Sequence, residues 1–279
     1  MAGRMRVLKK GLKPPIPWLL GAIVLGGVAG RGQEAPANDP TASPIVTDRP
    51  SVTDSRVVVP RGSVQFENGF LETGTPSLRT LDGPETLIRA GLLARTELRL
   101  YVPNYYYNQA LGIAQGAPSG FGDMAIGLKQ QVGPLPGKFD LSVVAYLSIP
   151  TGANAISSHA YDPAVQVPWS RALSSKWTLA GQASWYAPTQ NGRRNQTVEP
   201  TLFISRQLSK PWSAFAEYAG DFSQHAERRN LAHFGTAVAI SRRQQLDFHV
   251  GVGEMAGASF HFVGFGYSFQ FQAWRGERH

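Results

Sequence analysis

The chain has 279 residues, no cysteine and only 16% charged residues, against about 25% in typical soluble domains. The lack of cysteine excludes disulfide scaffolds, thiolate metal sites and thiol nucleophiles. The formal net charge is +8, but residues 1–30 contribute five basic residues and no acidic residue, so 22 basic and 19 acidic residues remain. This near balance argues against a nucleic-acid-binding surface.

Residues 1–30 have the pattern of a secretory signal peptide. A basic segment precedes an apolar stretch from Ile16 to Gly30, and small residues around Ala29 offer a cleavage site. This stretch is shorter than the roughly 20 residues of a membrane-spanning helix. An uncleaved inner-membrane anchor is the alternative. Residues 31–62 follow as a predicted periplasmic leader.

From residue 63 to residue 271, short runs alternate apolar and polar residues. Leu246, Phe248 and Val250, for example, alternate with Asp247 and His249. Successive side chains of a strand point to opposite faces, so each run predicts a strand with one apolar and one polar face. The twelve predicted strands are 63–72, 84–92, 96–104, 121–132, 138–149, 162–173, 176–187, 197–208, 211–220, 231–241, 244–253 and 259–271.

The connections between these strands alternate in length. Short turns are predicted at 93–95, 133–137, 174–175, 209–210 and 242–243. Longer loops are predicted at 73–83, 105–120, 150–161, 188–196 and 221–230, and the last loop, 254–258, is short. In outer-membrane barrels short turns are periplasmic and long loops extracellular.

The fold class predicted is therefore all-β, a single transmembrane antiparallel barrel of about 12 strands. The barrel spans 63–271, residues 272–279 form a tail, and the Gram-negative outer membrane is the expected location. A soluble β-sandwich is the alternative fold.

Three details refine the predicted barrel. The aromatic residues at several strand ends predict girdles at the membrane interfaces. A change of parity at Val263-Gly264 predicts a bulge in the last strand. Pro168 lies within the sixth strand and cannot donate to a closed hydrogen-bond ladder, which predicts a second local bulge.

Several short motifs resemble a family of bacterial outer-membrane proteins named for the meta-pathway of phenol degradation and often labelled transporters. The resemblance covers roughly residues 45–271 and implies an outer-membrane barrel that passes small, aromatic compounds, without a defined substrate. The motifs are Thr47-Asp48-Arg49-Pro50, Val52-Thr53-Asp54-Ser55, Val59-Pro60-Arg61-Gly62-Ser63 with Gln65, Glu67 and Gly69, Gly120-Phe121-Gly122-Asp123 with Gly127-Leu128-Lys129, and Ile149-Pro150-Thr151-Gly152.

Charged residues on the polar parity of the strands are predicted to face the lumen, because charge is costly against lipid. They either tune the selectivity of a water-filled path or form ion pairs that hold a plugged lumen together. The predicted lumen-lining residues are Glu67, Arg89, Glu97, Arg99, Asp123, Lys129, Asp140, Glu199, Glu217 and Asp247.

The segment before the first strand carries the motif Asp48, Arg49 and Pro50. We hypothesise that residues 45–60 pack at the periplasmic mouth or enter the lumen, where Asp48 and Arg49 pair with lumen charges. A periplasmic linker is the alternative.

The sequence indicates no enzyme. His159, His225 and His233 are predicted to be solvated loop residues, and no histidine has a serine and an acid at suggestive spacing. No cofactor and no metal are expected. The function predicted is a channel for small solutes, including aromatic or hydrophobic compounds. A non-conducting structural barrel and a lipid-modifying barrel enzyme are the alternatives.

The expected partners are membrane lipid, small solutes and the barrel-assembly machinery during insertion. Lipopolysaccharide is a further expected partner, at Arg193-Arg194 and Arg228-Arg229, which fall in two predicted extracellular loops. A solvated charge run is the alternative for both arginine pairs.

Overall fold

The computed structural model describes residues 44–112, 117–136 and 139–274. The predicted signal peptide, residues 1–30, lies outside the described residues. No helix in these three ranges is long and apolar enough to cross a membrane. The strands are β1 (Ser63–Gly74), β2 (Leu78–Gly83), β3 (Leu87–Leu93), β4 (Thr96–Tyr101), β5 (Tyr105–Ala110), β6 (Gly120–Phe121), β7 (Met124–Gln131), β8 (Phe139–Ile149), β9 (Asp162–Ala172), β10 (Trp177–Tyr186), β11 (Thr189–Gln190), β12 (Arg193–Arg194), β13 (Thr197–Gln207), β14 (Trp212–Ser223), β15 (Arg229–Ser241), β16 (Gln244–Met255) and β17 (Ala258–Gln272).

These strands form a closed antiparallel barrel. Strand β1 pairs with β17 along its whole length, from Ser63 opposite Gln272 to Gly74 opposite His261. Three strands of the barrel wall are each divided into two halves, β2/β3, β4/β5 and β6/β7. Strand β1 pairs with both β2 and β3. In the same way β5 pairs with β2 and β6, and β4 pairs with β7. Twelve strands therefore form the barrel wall, which confirms the predicted fold class.

Three neighbouring strands are interrupted, at residues 84–86, 102–104 and 122–123. The sequence pattern assigned these residues to the predicted strands 84–92, 96–104 and 121–132, which is wrong. Pro84 and Pro103 lie in the first two interruptions and have no N–H to donate to a ladder, so pairing stops beside them. The chain resumes in the same direction as β3 and β5.

The strands extend further towards the long-loop side than predicted. Residues 78–83 and 105–110, predicted as loop, form β2 and β5 and pair with each other. Their inward face is polar, with Thr80, Asp82 and Asn108, and their outward face mixes Arg79 and Gln109 with apolar residues such as Leu81. The alternation of hydrophobicity is therefore weak while the ladder continues. The predicted loop 188–196 contains the short β11–β12 hairpin.

The two faces of the wall differ as predicted. On β16 the side chains of Leu246, Phe248 and Val250 are exposed outwards, whereas Asp247 and His249 are buried in the lumen. An apolar outer surface around a polar interior is the arrangement of a barrel solvated by lipid. The barrel is therefore built to lie in a bilayer.

Two predicted bulges are absent from the described strands. In β17 the burial alternates without a slip, because Phe260 and Phe262 face the lumen while Phe265 faces lipid, and the register with β16 is continuous. At Pro168 the β8–β9 register is also unchanged. Two successive pairings are missing there, those of Ser142 with Pro168 and Val143 with Val167, because proline cannot donate.

Candidate functional site: the occupied lumen

Residues 45–62, which we call the plug, enter the lumen from the short-turn end of the barrel. The amide of Ile45 donates to the carbonyl of Arg242 in the turn between β15 and β16, and Ser63 donates to Pro60 at the start of β1. Both ends of the plug therefore lie at the end assigned to the periplasm. Residues 47–55 between them are buried.

Three glutamates of the wall hold the backbone of the plug. Their carboxylates accept amide N–H groups, so they fix the path of the chain independently of the plug side chains. Such charge-assisted hydrogen bonds are stronger than neutral ones. The contacts, with N–O distances of 2.7–2.9 Å, are Glu67 with Asp48 and Arg49, Glu217 with Val52 and Thr53, and Glu97 with Val59.

Asp48 is the centre of a buried ion cluster. Its carboxylate lies 2.6 Å from Arg99, 3.1 Å from Lys129 and 3.4 Å from Arg89. Burial alone would raise the pKa of Asp48, but the three cations outweigh it and hold that pKa far below its ordinary value. Asp48 is therefore ionised and ties the plug to β3, β4 and β7.

A second plug carboxylate has a different environment. Asp54 lies 3.2 Å from Arg99, yet neither of its oxygens has a hydrogen-bond partner among the described residues. Burial and the neighbouring Asp48 raise the pKa of Asp54 to about 6, against the opposing influence of Arg99. The plug thus contains one carboxyl group with a lowered pKa, Asp48, and one with a raised pKa, Asp54.

Arg49 occupies a notch between the first and last strands. Gly69 and Gly266 face each other across the β1–β17 ladder, and a Cβ atom on either would overlap the Arg49 side chain. In the notch the guanidinium pairs with Glu85 and with Asp247. Glycine is required at both positions because no side chain fits beneath the guanidinium.

A hydrogen-bond chain leads from Arg49 across the lumen wall. Arg49 lies 3.4 Å from His249 Nε2, His249 Nδ1 lies 3.0 Å from His233 Nε2, and His233 Nδ1 lies 2.9 Å from Glu217. One set of proton positions satisfies the whole chain, with each imidazole donating from Nδ1 and accepting at Nε2. The chain therefore links a cation of the plug to the carboxylate that holds residues 52–53.

Protonation of His249 is expected to loosen the plug. Protonation would place a hydrogen on His249 Nε2, where Arg49 now donates, and would set two cations against each other. His233 also faces His249, and Asp247 and Glu217 are the nearest acids, each already bonded to a plug group. Repulsion between the two cations therefore weakens the seat of Arg49.

Thiol labelling measures this effect, because the chain has no native cysteine. The test uses an Asp54→Asn background, because the raised pKa of Asp54, about 6, makes protonation of that carboxyl act in the opposite direction. In this background we expect Ser51→Cys, buried in the plug, to be labelled faster at about pH 4.5 than at about pH 7.5, relative to the exposed loop variant Ser77→Cys. His249→Gln should remove this difference. An unchanged ratio with His249 present would contradict the prediction.

The lumen on the loop side of the plug holds a further charged group. Arg229 donates to Glu199 at 2.8 Å and to Asp221 at 2.7 Å, and the Tyr186 hydroxyl donates to Glu199 at 3.0 Å. Tyr146 lies on the same wall, one strand beyond Ala164, which pairs with Tyr186. Aromatic and charged groups therefore share this part of the lumen.

The predicted site residues fall into two groups. Eight of them are buried in the lumen; these are Glu67, Arg89, Glu97, Arg99, Lys129, Glu199, Glu217 and Asp247. The other two lie at the rims: Asp140 pairs with Arg56 of the plug, and Asp123 accepts the amides of Gly152 and Ser158 in a loop. The structure thus brings all ten except Glu199, which lies on the loop side, and Asp123 into contact with the plug.

Sequence reasoning missed Arg229 and His233 as lumen residues, and it placed His249 on the polar parity of its strand without giving it a role. His233 was predicted as a solvated loop residue, which is wrong, because it is 0% exposed. Arg229 was assigned to a lipopolysaccharide-facing loop, but its side chain points into the lumen. Both residues lie on β15, which begins at Arg229 rather than at residue 231, and parity counted from Leu231 would have found both.

Residues 47–271 match the family model described as "Putative MetA-pathway of phenol degradation". The chain belongs to this family. An outer-membrane channel from Pseudomonas putida F1 is similar in structure, with a TM-score of 0.63 and 15% identity over 78% of this chain and 98% of that chain. The NanC porin aligns with a TM-score of 0.51 and 9% identity, over 74% of this chain and 98% of its own. No curated protein matches the sequence. The fold is that of barrels of the Gram-negative outer membrane.

Proposed function

We propose that this protein is an outer-membrane channel for small solutes, in which the plug narrows the periplasmic half of the lumen. The observation that carries this proposal is the nature of the plug contacts. Hydrogen bonds and ion pairs, rather than a continuous apolar core, join the plug to the wall. Such contacts exchange with water at small net cost, so the same barrel can hold the plug or release it.

The lining of the lumen suits solutes with an aromatic or apolar part. One apolar cluster, on β3 to β9, includes Leu87, Tyr101 and Tyr146, with Tyr186 of β10 packed against it. A second cluster includes Leu231 and two phenylalanines of β17, and Val52 of the plug packs within it. Apolar surface beside a few placed polar groups is typical of small-molecule sites.

Conductance of the refolded protein in planar bilayers tests this function. We expect small, discrete current steps from the native chain, because the plug leaves a narrow path. The steps should grow when the plug is loosened by substitution at its wall contacts. Flat traces from both the native chain and a plug-loosened variant would contradict channel function.

A non-conducting structural barrel is the second candidate. The observation in its favour is the complete burial of Glu67, Arg89 and Arg99, which are 0% exposed around Asp48. A lumen filled by such a cluster stabilises the wall without passing solutes. Flat current traces together with normal heat stability would support this candidate.

A lipid-modifying enzyme has less support, because the partners of His233 are Glu217 and His249 rather than a hydroxyl. A nucleophile held against a base is required for such chemistry.

We further propose that the anionic groups of lipopolysaccharide contact the exposed Arg193, Arg194 and Arg228. We propose that β17, with outward Phe269 and Phe271, is the strand that the assembly machinery engages during insertion.

A further inference from the structure

The buried charges of the lumen are not balanced. Among the described residues, nine buried acids and five buried bases lie in the plug or on inward strand positions, a formal excess of four negative charges. This sign is opposite to the net charge of the whole chain, +8. The acids are Asp48, Asp54, Glu67, Asp82, Glu97, Asp162, Glu199, Glu217 and Asp247, and the bases are Arg49, Arg89, Arg99, Lys129 and Arg229.

The five buried bases are already neutralised by neighbouring acids. Each has a carboxylate oxygen within 3.1 Å, so none offers a free positive charge to a passing anion. Arg229, the buried base on the loop side of the plug, pairs with both Glu199 and Asp221. An anion that enters the lumen therefore has to displace an existing carboxylate.

Two acids on the loop side are matched less well. Asp82 is buried, and its Oδ1 atom has no hydrogen-bond partner in the described structure; its Oδ2 accepts only a long bond of 3.4 Å from Asn104. Asp162 accepts the Thr189 hydroxyl at 2.7 Å, and the cation beside it, Arg194, is half exposed at 3.6 Å. A cation entering from outside meets both carboxylates before it reaches the plug.

We propose that the lumen favours cationic solutes over anionic ones, with Asp82 and Asp162 as the residues that set this preference at the outer end. This inference rests on the proposed channel function. Rings of acidic side chains select cations in other pores by the same electrostatic principle. Because the site also holds tyrosines, organic cations fit it better than aromatic acids do, since cations are attracted to aromatic faces.

The test is the reversal potential across bilayers that contain the full mature chain, under gradients of potassium chloride, choline chloride and sodium benzoate. We expect cations to be more permeant than anions in each salt. At low ionic strength, Asp82→Asn and Asp162→Asn should each lower the cation-to-anion permeability ratio by about sixfold. One unit charge about 8 Å from an ion in water favours a cation by about 2.4-fold and disfavours an anion by about the same factor.

Glu72→Gln is the matched control. It removes the same charge at the same end of the barrel, but Glu72 faces outwards and pairs with Arg79, so the ratio should not change. A preference for anions, or an equal fall in Glu72→Gln, would overturn the inference and leave the channel standing. Absence of any current, in the native chain and in a plug-loosened variant, would overturn the channel function itself and the inference with it.

Discussion

Asp48→Ala is expected to release the plug and to increase the single-channel conductance several-fold. The substitution leaves Arg89, Arg99 and Lys129 close together without the carboxylate that now lies within 3.4 Å of each. Removing one partner of a buried ion pair typically costs about 3–5 kcal/mol. The barrel strands keep their own ladders, so we expect this cost to fall on plug docking.

Two measurements check this expectation. Conductance reports the open lumen, and labelling of Ser51→Cys reports the released plug. Asp123→Ala is the control, because it removes an acid whose hydrogen-bond partners in the described ranges are Gly152 and Ser158 of a loop. If Asp48→Ala left both readouts at the native level, the plug would be held by contacts other than this cluster.

Gly69→Ala is expected to lower the stability of the barrel more than a usual glycine substitution in a strand. The new Cβ overlaps the guanidinium of Arg49, which has to leave the notch and abandon Glu85 and Asp247. The two acids are then buried without their cation, at a cost of about 3–5 kcal/mol. Heat-induced unfolding, followed by gel mobility, measures this loss.

A double-mutant cycle with Arg49→Ala separates this cause from strand effects. If the overlap with Arg49 is responsible, Gly69→Ala should cost much less in the Arg49→Ala background, with a coupling of about 1–3 kcal/mol. Additive costs in the double variant would sink the explanation, because the strain would then lie in the strand.

The sequence predicted the barrel well where one strand face is continuously apolar. In β16, Leu246 and Phe248 alternate with Asp247 and His249, and this parity placed the last two in the lumen. It failed where the outward face mixes polar and apolar residues, as around Thr80, because hydrophobic alternation is then weak. The pattern also predicted a bulge in β17, which is absent. Two phenylalanines of this strand face the lumen, and in the sequence such apolar residues look as if the strand had changed the face it turns to lipid.

The partners of the plug lay beyond sequence reasoning. The motif around Asp48 and Arg49 suggested that these residues pair with lumen charges. The sequence did not decide whether this segment enters the lumen or forms a periplasmic linker. Which charges meet depends on strand tilt and barrel closure, since Asp48 contacts Lys129, 81 residues away, and Arg49 contacts Asp247, 198 residues away. No local pattern encodes such distances.

The notch for Arg49 has a consequence for assembly. Its two walls, Gly69 and Gly266, belong to the first and last strands of the barrel and become neighbours only when β1 pairs with β17. The seat of Arg49 therefore does not exist in a chain whose last strand is missing or unpaired. The plug can therefore dock only after β1 and β17 have closed the barrel. In a truncated or unclosed barrel this segment would stay free in the periplasm, where quality-control proteases act.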